Sequence, residues 1–370
     1  RTVSPRAVRP ARGREVTICA QPRMATAPKA SPARKSPARR ASPARKPSPA
    51  RNATAAAPKN GLDDTVASTG LHPLARVFIR SLVVSRPYFY LVTLWLYLLP
   101  TGGRFELLSS PFGGPFWVGF AYCTYPLNLL CYLMNDLSDV DVDRENPRKG
   151  GVIFGCRGTA AELRSVVPLA VAANVACLVY FARRLGALVA APWLAAGVLV
   201  NWLYNYGPRL SSNYAPLDLL CPCGYLLVIP LSCWLNGLPL PPARAWAHTV
   251  FFIVRSQLWI QTFDLDSDGR AGRRTTAVVL GLGRALQLLL ALLVAETAFV
   301  AVCFDDLDLL SFSATSVALA GVQMAVVRGG AKAKLAKTKV SSATTNAVFT
   351  VMGLGGCGLL VKVWLNGSFN

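Results

Sequence analysis

From about residue 75 onward the chain is a series of apolar runs separated by short polar breaks. Nine runs can be drawn, at approximately 86–101, 113–134, 165–182, 186–206, 215–236, 244–263, 285–304, 309–328 and 344–364. Each approaches the roughly 20 residues that an α-helix needs to cross the hydrocarbon core of a bilayer. Arg86-Pro87 interrupts the first run and Gly102-Gly103 ends it early. Pro192, Pro216, Pro222 and Pro230 fall inside runs, where neighbouring helices can satisfy the carbonyls that proline frees. The pattern predicts an all-α membrane protein with nine transmembrane helices.

Composition agrees. The 370 residues are 53% hydrophobic and 15% charged, too apolar for an ordinary soluble protein of this length. The charge is uneven: the first seventy residues carry roughly +12 of the net +21. That stretch repeats Ser-Pro-Ala-Arg from Ser31, Ser36, Ser42 and Ser48. Its proline density and lack of apolar residues predict disorder. The expected division is a basic tail at 1–74 and a membrane domain at 75–370. A tail rich in Arg, Ser and Ala and poor in acid suits an organelle targeting segment, plastid or mitochondrial. A tether to anionic lipid is the alternative, and no nucleic-acid partner is expected. The ten cysteines are scattered, and the closest pair, Cys221 and Cys223, lacks CxxC spacing. Neither His72 nor His248 sits in a motif.

Nine crossings put the loops near 135–164, 207–214, 264–284 and 329–343 on one side. The loops near 102–112, 183–185, 237–243 and 305–308, with the C-terminus, fall on the other. Lys and Arg divide roughly fifteen to four in favour of the first side, making it the cytoplasmic or equivalent face.

Two acidic clusters fall on that face. The first is Asn135-Asp136-Leu137-Ser138-Asp139-Val140-Asp141-Val142-Asp143. On a continuing helix Asn135, Asp136, Asp139 and Asp143 lie close to one face. The second is Asp264-Leu265-Asp266-Ser267-Asp268, with Asp264 and Asp268 one turn apart. Carboxylates so crowded repel unless a cation sits among them, and hard oxygen ligands suit Mg²⁺. Asp141 and Asp266 are out of phase and are expected to face water or a basic residue. Arg144, Arg148 and Lys149 follow the first cluster, and Arg270, Arg273 and Arg274 the second. Arg209 stands nearly alone in its loop. Cations so placed suit a metal-bound diphosphate. The acids are expected only at run ends, whereas a transporter would carry its charges mid-run.

These residues resemble the UbiA superfamily of intramembrane prenyltransferases over nearly the whole 75–370 region. Its NDxxDxxxD signature is met by Asn135, Asp136, Asp139 and Asp143. Its DxxxD signature is met by Asp264 and Asp268, followed by Arg270-Ala-Gly-Arg-Arg-Thr-Thr. Where the family carries a YxxK-type element, this chain has Tyr204 to Arg209 and no lysine, leaving Arg209 as the candidate replacement. Asp-Arg-Glu-Asn-Pro-Arg-Lys-Gly resembles the lycopene-elongase-like branch. The resemblance implies a helical bundle around a central cavity and Mg²⁺ bridging a prenyl diphosphate to both motifs. It implies transfer of the prenyl chain to a hydrophobic acceptor, expected to be aromatic. A terpene cyclase or a lycopene-elongase-like enzyme is the alternative. On this reading Asn135, Asp136, Asp139, Asp264 and Asp268 hold metal, with Asp143 in support. Arg148, Lys149, Tyr204, Arg209, Arg270 and Arg273 contact substrate. Tyr132, Trp202 and Trp259 join Tyr204 as candidates to stabilise an allylic cation.

Overall fold

A computed structural model describes residues 70–143, 146, 149–151, 153–332 and 342–370. The expected tail, apart from its last residues, lies outside them. Among the described residues there is no β-strand, only an isolated bridge between Gly151 and Gly155.

Helix lies over each of the nine runs, and one helix was not expected. That one is α1 (Pro73–Ser85), which begins with proline at its first position and turns Arg80, Ser81, Val83 and Val84 inward. It packs on α3, and Arg80 reaches Glu162 at 2.7 Å. Then come α2 (Tyr90–Leu98), flanked by 3₁₀ turns, and α3 (Pro115–Ser138). Short α4 (Val140–Asp143) and α5 (Ala160–Arg164) precede α6 (Val167–Leu185) and α7 (Ala187–Asn205). Thr159 and Glu162 form a reciprocal capping box that starts α5. A single turn, α8 (Leu210–Asn213), leads to a 3₁₀ stretch and α9 (Val228–Asn236). The remaining helices are α10 (Ala243–Arg270), α11 (Thr276–Leu280), α12 (Leu282–Cys303), α13 (Leu307–Lys332) and α14 (Ser342–Asn366).

Contacts run from α2 to α3, α6 and α7, through the 3₁₀ stretch Cys221–Leu227 to α10, and on to α12, α13 and α14. The last returns to α2. The ring is closed where Trp364 donates from Nε1 to Thr101 Oγ1 at 2.9 Å and Gly103 N donates to Trp364 O. Inside the ring polar side chains repair irregular backbone. Near Pro126 of α3, Thr93 donates to Cys123 O and Asn174 to Pro126 O. The prolines at 216 and 222 stand at 3₁₀ turns rather than α-helix, and the second of these, Cys221–Leu227, lines the cavity. Non-helical backbone is tolerated at such depth only beside protein or a cavity. The outer surface is apolar: Val171, Val175, Leu188, Val198, Val294 and Val322 are exposed, as expected for side chains facing lipid.

Five described stretches are long and apolar enough to cross a membrane: Ala160–Leu185, Ala187–Asn213, Leu217–Asn236, Leu282–Cys303 and Leu307–Arg328. The pair Pro73–Ser85 and Pro87–Thr101, bent by 45°, makes up to six. The expected nine crossings are therefore not reached on this criterion. α3 and α10 have the length, at 24 and 28 residues, but give up apolarity to the polar residues they bury.

The expected grouping of loops agrees with the contacts. Arg209 and Arg273 both reach Asp139, and Arg274 N donates to Ser212 O at 2.8 Å, joining three loops of one face. At the other end Asn370 donates to Gly102 O and Ser368 to Asp306.

Candidate active site

Asp139 ends α3: its φ of −112° and ψ of 10° leave the helical region. The helix therefore does not run on through the first motif. Val142 N and Asp143 N still donate to Asp139 O, at 2.9 and 2.8 Å. That turn keeps Asp143 on the inner side, and Asp141 is exposed as expected. The second motif lies within the last turns of α10, which runs to Arg270.

Every first-motif carboxylate that faces inward meets a cation. Asp136, 1% exposed, receives Arg86 Nη2 at 2.5 Å and Lys149 Nζ at 2.7 Å, both on Oδ1. Its Oδ2 has no hydrogen-bond partner among the described residues. Lys149 also lies 2.7 Å from Asp143 Oδ2. Burial pushes the Asp143 carboxyl up, and Lys149 opposes this. Asp139 Oδ1 receives Arg209 at 2.5 Å and Arg273 at 2.8 Å. Asn135 accepts from Arg86 at 3.2 Å and donates to Asn205 at 3.2 Å.

Arg273 joins the two motifs. Its Nη2 holds Asp139 while its Nη1 lies 3.3 Å from Asp268 Oδ1. One guanidinium thus spans carboxylates that are 129 positions apart in the chain. Burial works against the charge of Arg273, but Asp139 and Asp268 prevail and hold its pKa above the ordinary value. Asp268 also accepts from Thr275 at 3.4 Å.

Among the described residues, Arg86 and Arg209 are the non-glycine residues with positive φ, at 52° and 51°. A left-handed backbone costs an L-residue about 1–2 kcal/mol. Both arginines point their guanidinium at a motif aspartate, and strain of this kind gathers at functional sites. Gly155 lies beneath Arg86. Its φ is +89°, and a Cβ there would sit 2.6 Å from Arg86 Nε and 3.1 Å from Asp136 Oδ2. Gly155→Ala is expected to displace Arg86 and lower kcat/KM by about 10- to 100-fold. Steady-state kinetics on the reconstituted protein would measure it, and an unchanged value would show that the arginine's position is unimportant.

Asn135, Asp139, Asp143, Lys149 and Tyr204 line one cavity of about 590 Å³ with Asp264, Asp268 and Arg273. Asp136 lies behind that wall, and Arg209 closes on Asp139 from outside it. Tyr132 and Trp259 line the cavity; Trp202 is 48% exposed and lies outside it. Arg270 is exposed at the end of α10 and is not among the residues lining the cavity. Arg148 lies outside the described residues. The sequence reading assigned no role to Arg86, though its guanidinium sits 4.3 Å above the Tyr132 ring; the signal available was Arg86-Pro87 itself.

The residues present fit a divalent cation. Four motif carboxylates, Asp139, Asp143, Asp264 and Asp268, line one cavity, and behind its wall a buried Asp136 oxygen is left over. Among the described residues no three His, Cys, Asp or Glu side chains are drawn together as a ligand set, because Arg and Lys hold the carboxylates instead.

A closed ring of membrane helices, with two Asp motifs brought together on one largely apolar cavity, defines an intramembrane site built from acids and bases. No family model matches the chain. It is 32% identical over 206 residues to a protein of Halobacterium salinarum described as lycopene elongase/hydratase, covering 55% of this chain and 72% of that one. A Haloferax volcanii protein of the same description is 30% identical over 200 residues, covering 54% and 64%. The fold is that of a UbiA homolog from Archaeoglobus fulgidus. The structure bound to GPP and Mg²⁺ gives a TM-score of 0.51 at 18% identity, covering 76% of this chain and 97% of that one. The structure bound to DMAPP and Mg²⁺ gives 0.52 at 16%, covering 76% and 96%. The chain belongs to the UbiA superfamily and is an integral membrane prenyltransferase.

Proposed function

We propose that the enzyme transfers a prenyl group from an allylic diphosphate, held with Mg²⁺ between the two Asp motifs, to a long electron-rich alkene. The observation that carries this reading is Arg273, which brings Asp139 and Asp268 to one cavity mouth. The acceptor class follows the description of the relatives, in place of the aromatic ring first expected.

Asn135, Asp136, Asp139, Asp143, Asp264 and Asp268 would hold the metal. Bound there, Mg²⁺ neutralises the leaving diphosphate. Lys149, Arg209 and Arg273 now pair with carboxylates and would turn to diphosphate oxygens when the site fills. The C–O bond breaks with its electron pair going to the diphosphate. The alkene's π electrons form the new C–C bond, and the acceptor then loses a proton. Tyr204 and Tyr132 line the cavity and would stabilise the allylic cation, and the apolar walls would exclude water that would quench it.

The test is a radiolabelled allylic diphosphate with the reconstituted protein, Mg²⁺ and a panel of polyene and aromatic acceptors. The expected product is an elongated polyene, with turnover abolished by excess EDTA. Full turnover in EDTA would reject the metal, and a cyclised product formed without acceptor would favour a terpene cyclase. An organelle membrane as the site of action rests on the composition of 1–74 alone. Loss of organelle import when this stretch is deleted would support it.

A further inference from the structure

A second polar cluster lies deep in the same cavity. Arg255 on α10 is 2% exposed, His248 on α10 is 2% and Glu296 on α12 is 1%. Arg255 Nε donates to Glu296 Oε2 at 2.9 Å. His248 Nε2 lies 3.5 Å from Glu296 Oε1. The surroundings are aromatic: Arg255 stands 4.6 Å over the Phe252 ring, and His248 lies 5.3 Å from Phe369. Ionisable groups at such depth are costly, and they mark function more often than chance.

What the cluster leaves open is specific. Arg255 Nη2, Glu296 Oε1 and His248 Nδ1 have no hydrogen-bond partner among the described residues, and all three side chains line the cavity. One open atom donates, one accepts and one can do either. Arg255 and Glu296 already balance in charge, so a ligand carboxylate would bring an uncompensated negative charge. A carbonyl would use the donor and leave Glu296 idle. A hydrocarbon would leave all three unsatisfied. A hydroxyl accepts from Arg255 and donates to Glu296.

Arg255 precedes Asp264 by nine positions and Asp268 by thirteen on one continuous helix. At 1.5 Å per residue that is about 14 and about 20 Å along the axis. A small phenol cannot reach both ends. The geometry points to a distal hydroxyl site: the acceptor is a long-chain alcohol, with its reacting alkene at the Asp motifs and its hydroxyl between Arg255 and Glu296. This rests on the prenyl-transfer reading and narrows its acceptor class. The competing occupant is an ordered water.

The test compares two acceptors in the reconstituted full chain with Mg²⁺ and a labelled allylic diphosphate. One is a linear polyene alcohol with its hydroxyl at the end away from the reacting double bond; the other is the hydrocarbon of the same chain. The wild type is expected to favour the alcohol in kcat/KM by roughly 10- to 100-fold, as one hydrogen bond to a charged group allows. In Arg255→Met/Glu296→Leu the ratio should fall towards one, and Arg255→Lys should retain part of it. A ratio read within one preparation is not moved by partial misfolding. Equal prenylation of both by the wild type, or a preference that survives in the double variant, would leave the cluster to water and overturn the assignment alone. Prenylation of neither would remove the polyene acceptor class and this assignment together.

Discussion

Asp264→Ala is expected to lose at least about 10³-fold in kcat/KM, the scale of one removed electrostatic contact to a transition state. The membrane-reconstituted variant should keep its helical circular dichroism. Asp264 is half-buried and lines the cavity in which the diphosphate is proposed to bind. Asp136→Ala differs. Asp136 is the shared partner of Arg86 and Lys149, and its removal takes the carboxylate from buried Arg86 and leaves Lys149 with Asp143 alone. That variant should lose activity and also about 3–5 kcal/mol of stability. The two aspartates are equivalent as motif letters and unequal as structural members. Full activity in Asp264→Ala would reject the proposed role of the second motif.

The second large effect is on stability. Glu296→Ala strands Arg255 inside the helix ring and should cost about 3–5 kcal/mol, read as a lowered unfolding midpoint in detergent. Arg255→Met/Glu296→Leu should recover most of that loss, because it removes the desolvated charges together. A double variant no more stable than Glu296→Ala would mean that the site depends on shape, not charge.

Much of the catalytic end was legible before folding, because its residues are close in sequence. Asn135 to Asp143 and Asp264 to Asp268 each report through a local spacing. Their common side followed from apolar runs and loop charge, and Arg273 on Asp139 agrees with it. The cations were partly legible: Lys149, Arg209 and Arg273 reach the motifs, whereas Arg270 is exposed and does not line the cavity. Two features were not legible for physical reasons. Arg86 takes its role from a left-handed cap at the end of α1, a conformation that sequence favours for glycine or asparagine and not for arginine. Arg255 and Glu296 stand 41 positions apart, each inside an apolar run, and only the packing of α10 on α12 makes them partners. They also correct the expectation that the acids lie only at run ends. The rule that an ionisable residue inside a membrane span marks a site would have flagged both, and His248 with them once Glu296 was considered.

Two of the nine expected crossings, α3 and α10, miss the apolarity criterion for a related reason. Hydropathy counts side chains wherever they point, and α3 and α10 spend theirs on the cavity. The same polar content that makes these two helices the walls of the site lowers their apparent fitness to span a bilayer.

The central claim is that both Asp motifs act on one diphosphate. Its most direct test is Mg²⁺-dependent binding of a non-ionisable allylic diphosphate analogue to wild type, Asp139→Asn, Asp268→Asn and the double variant. If the motifs share one ligand, each single change should weaken binding by about 100-fold, and the double should lose little more than either alone. Losses that add in full, or a single variant that binds like wild type, would mean the motifs serve separate sites and would contradict the account.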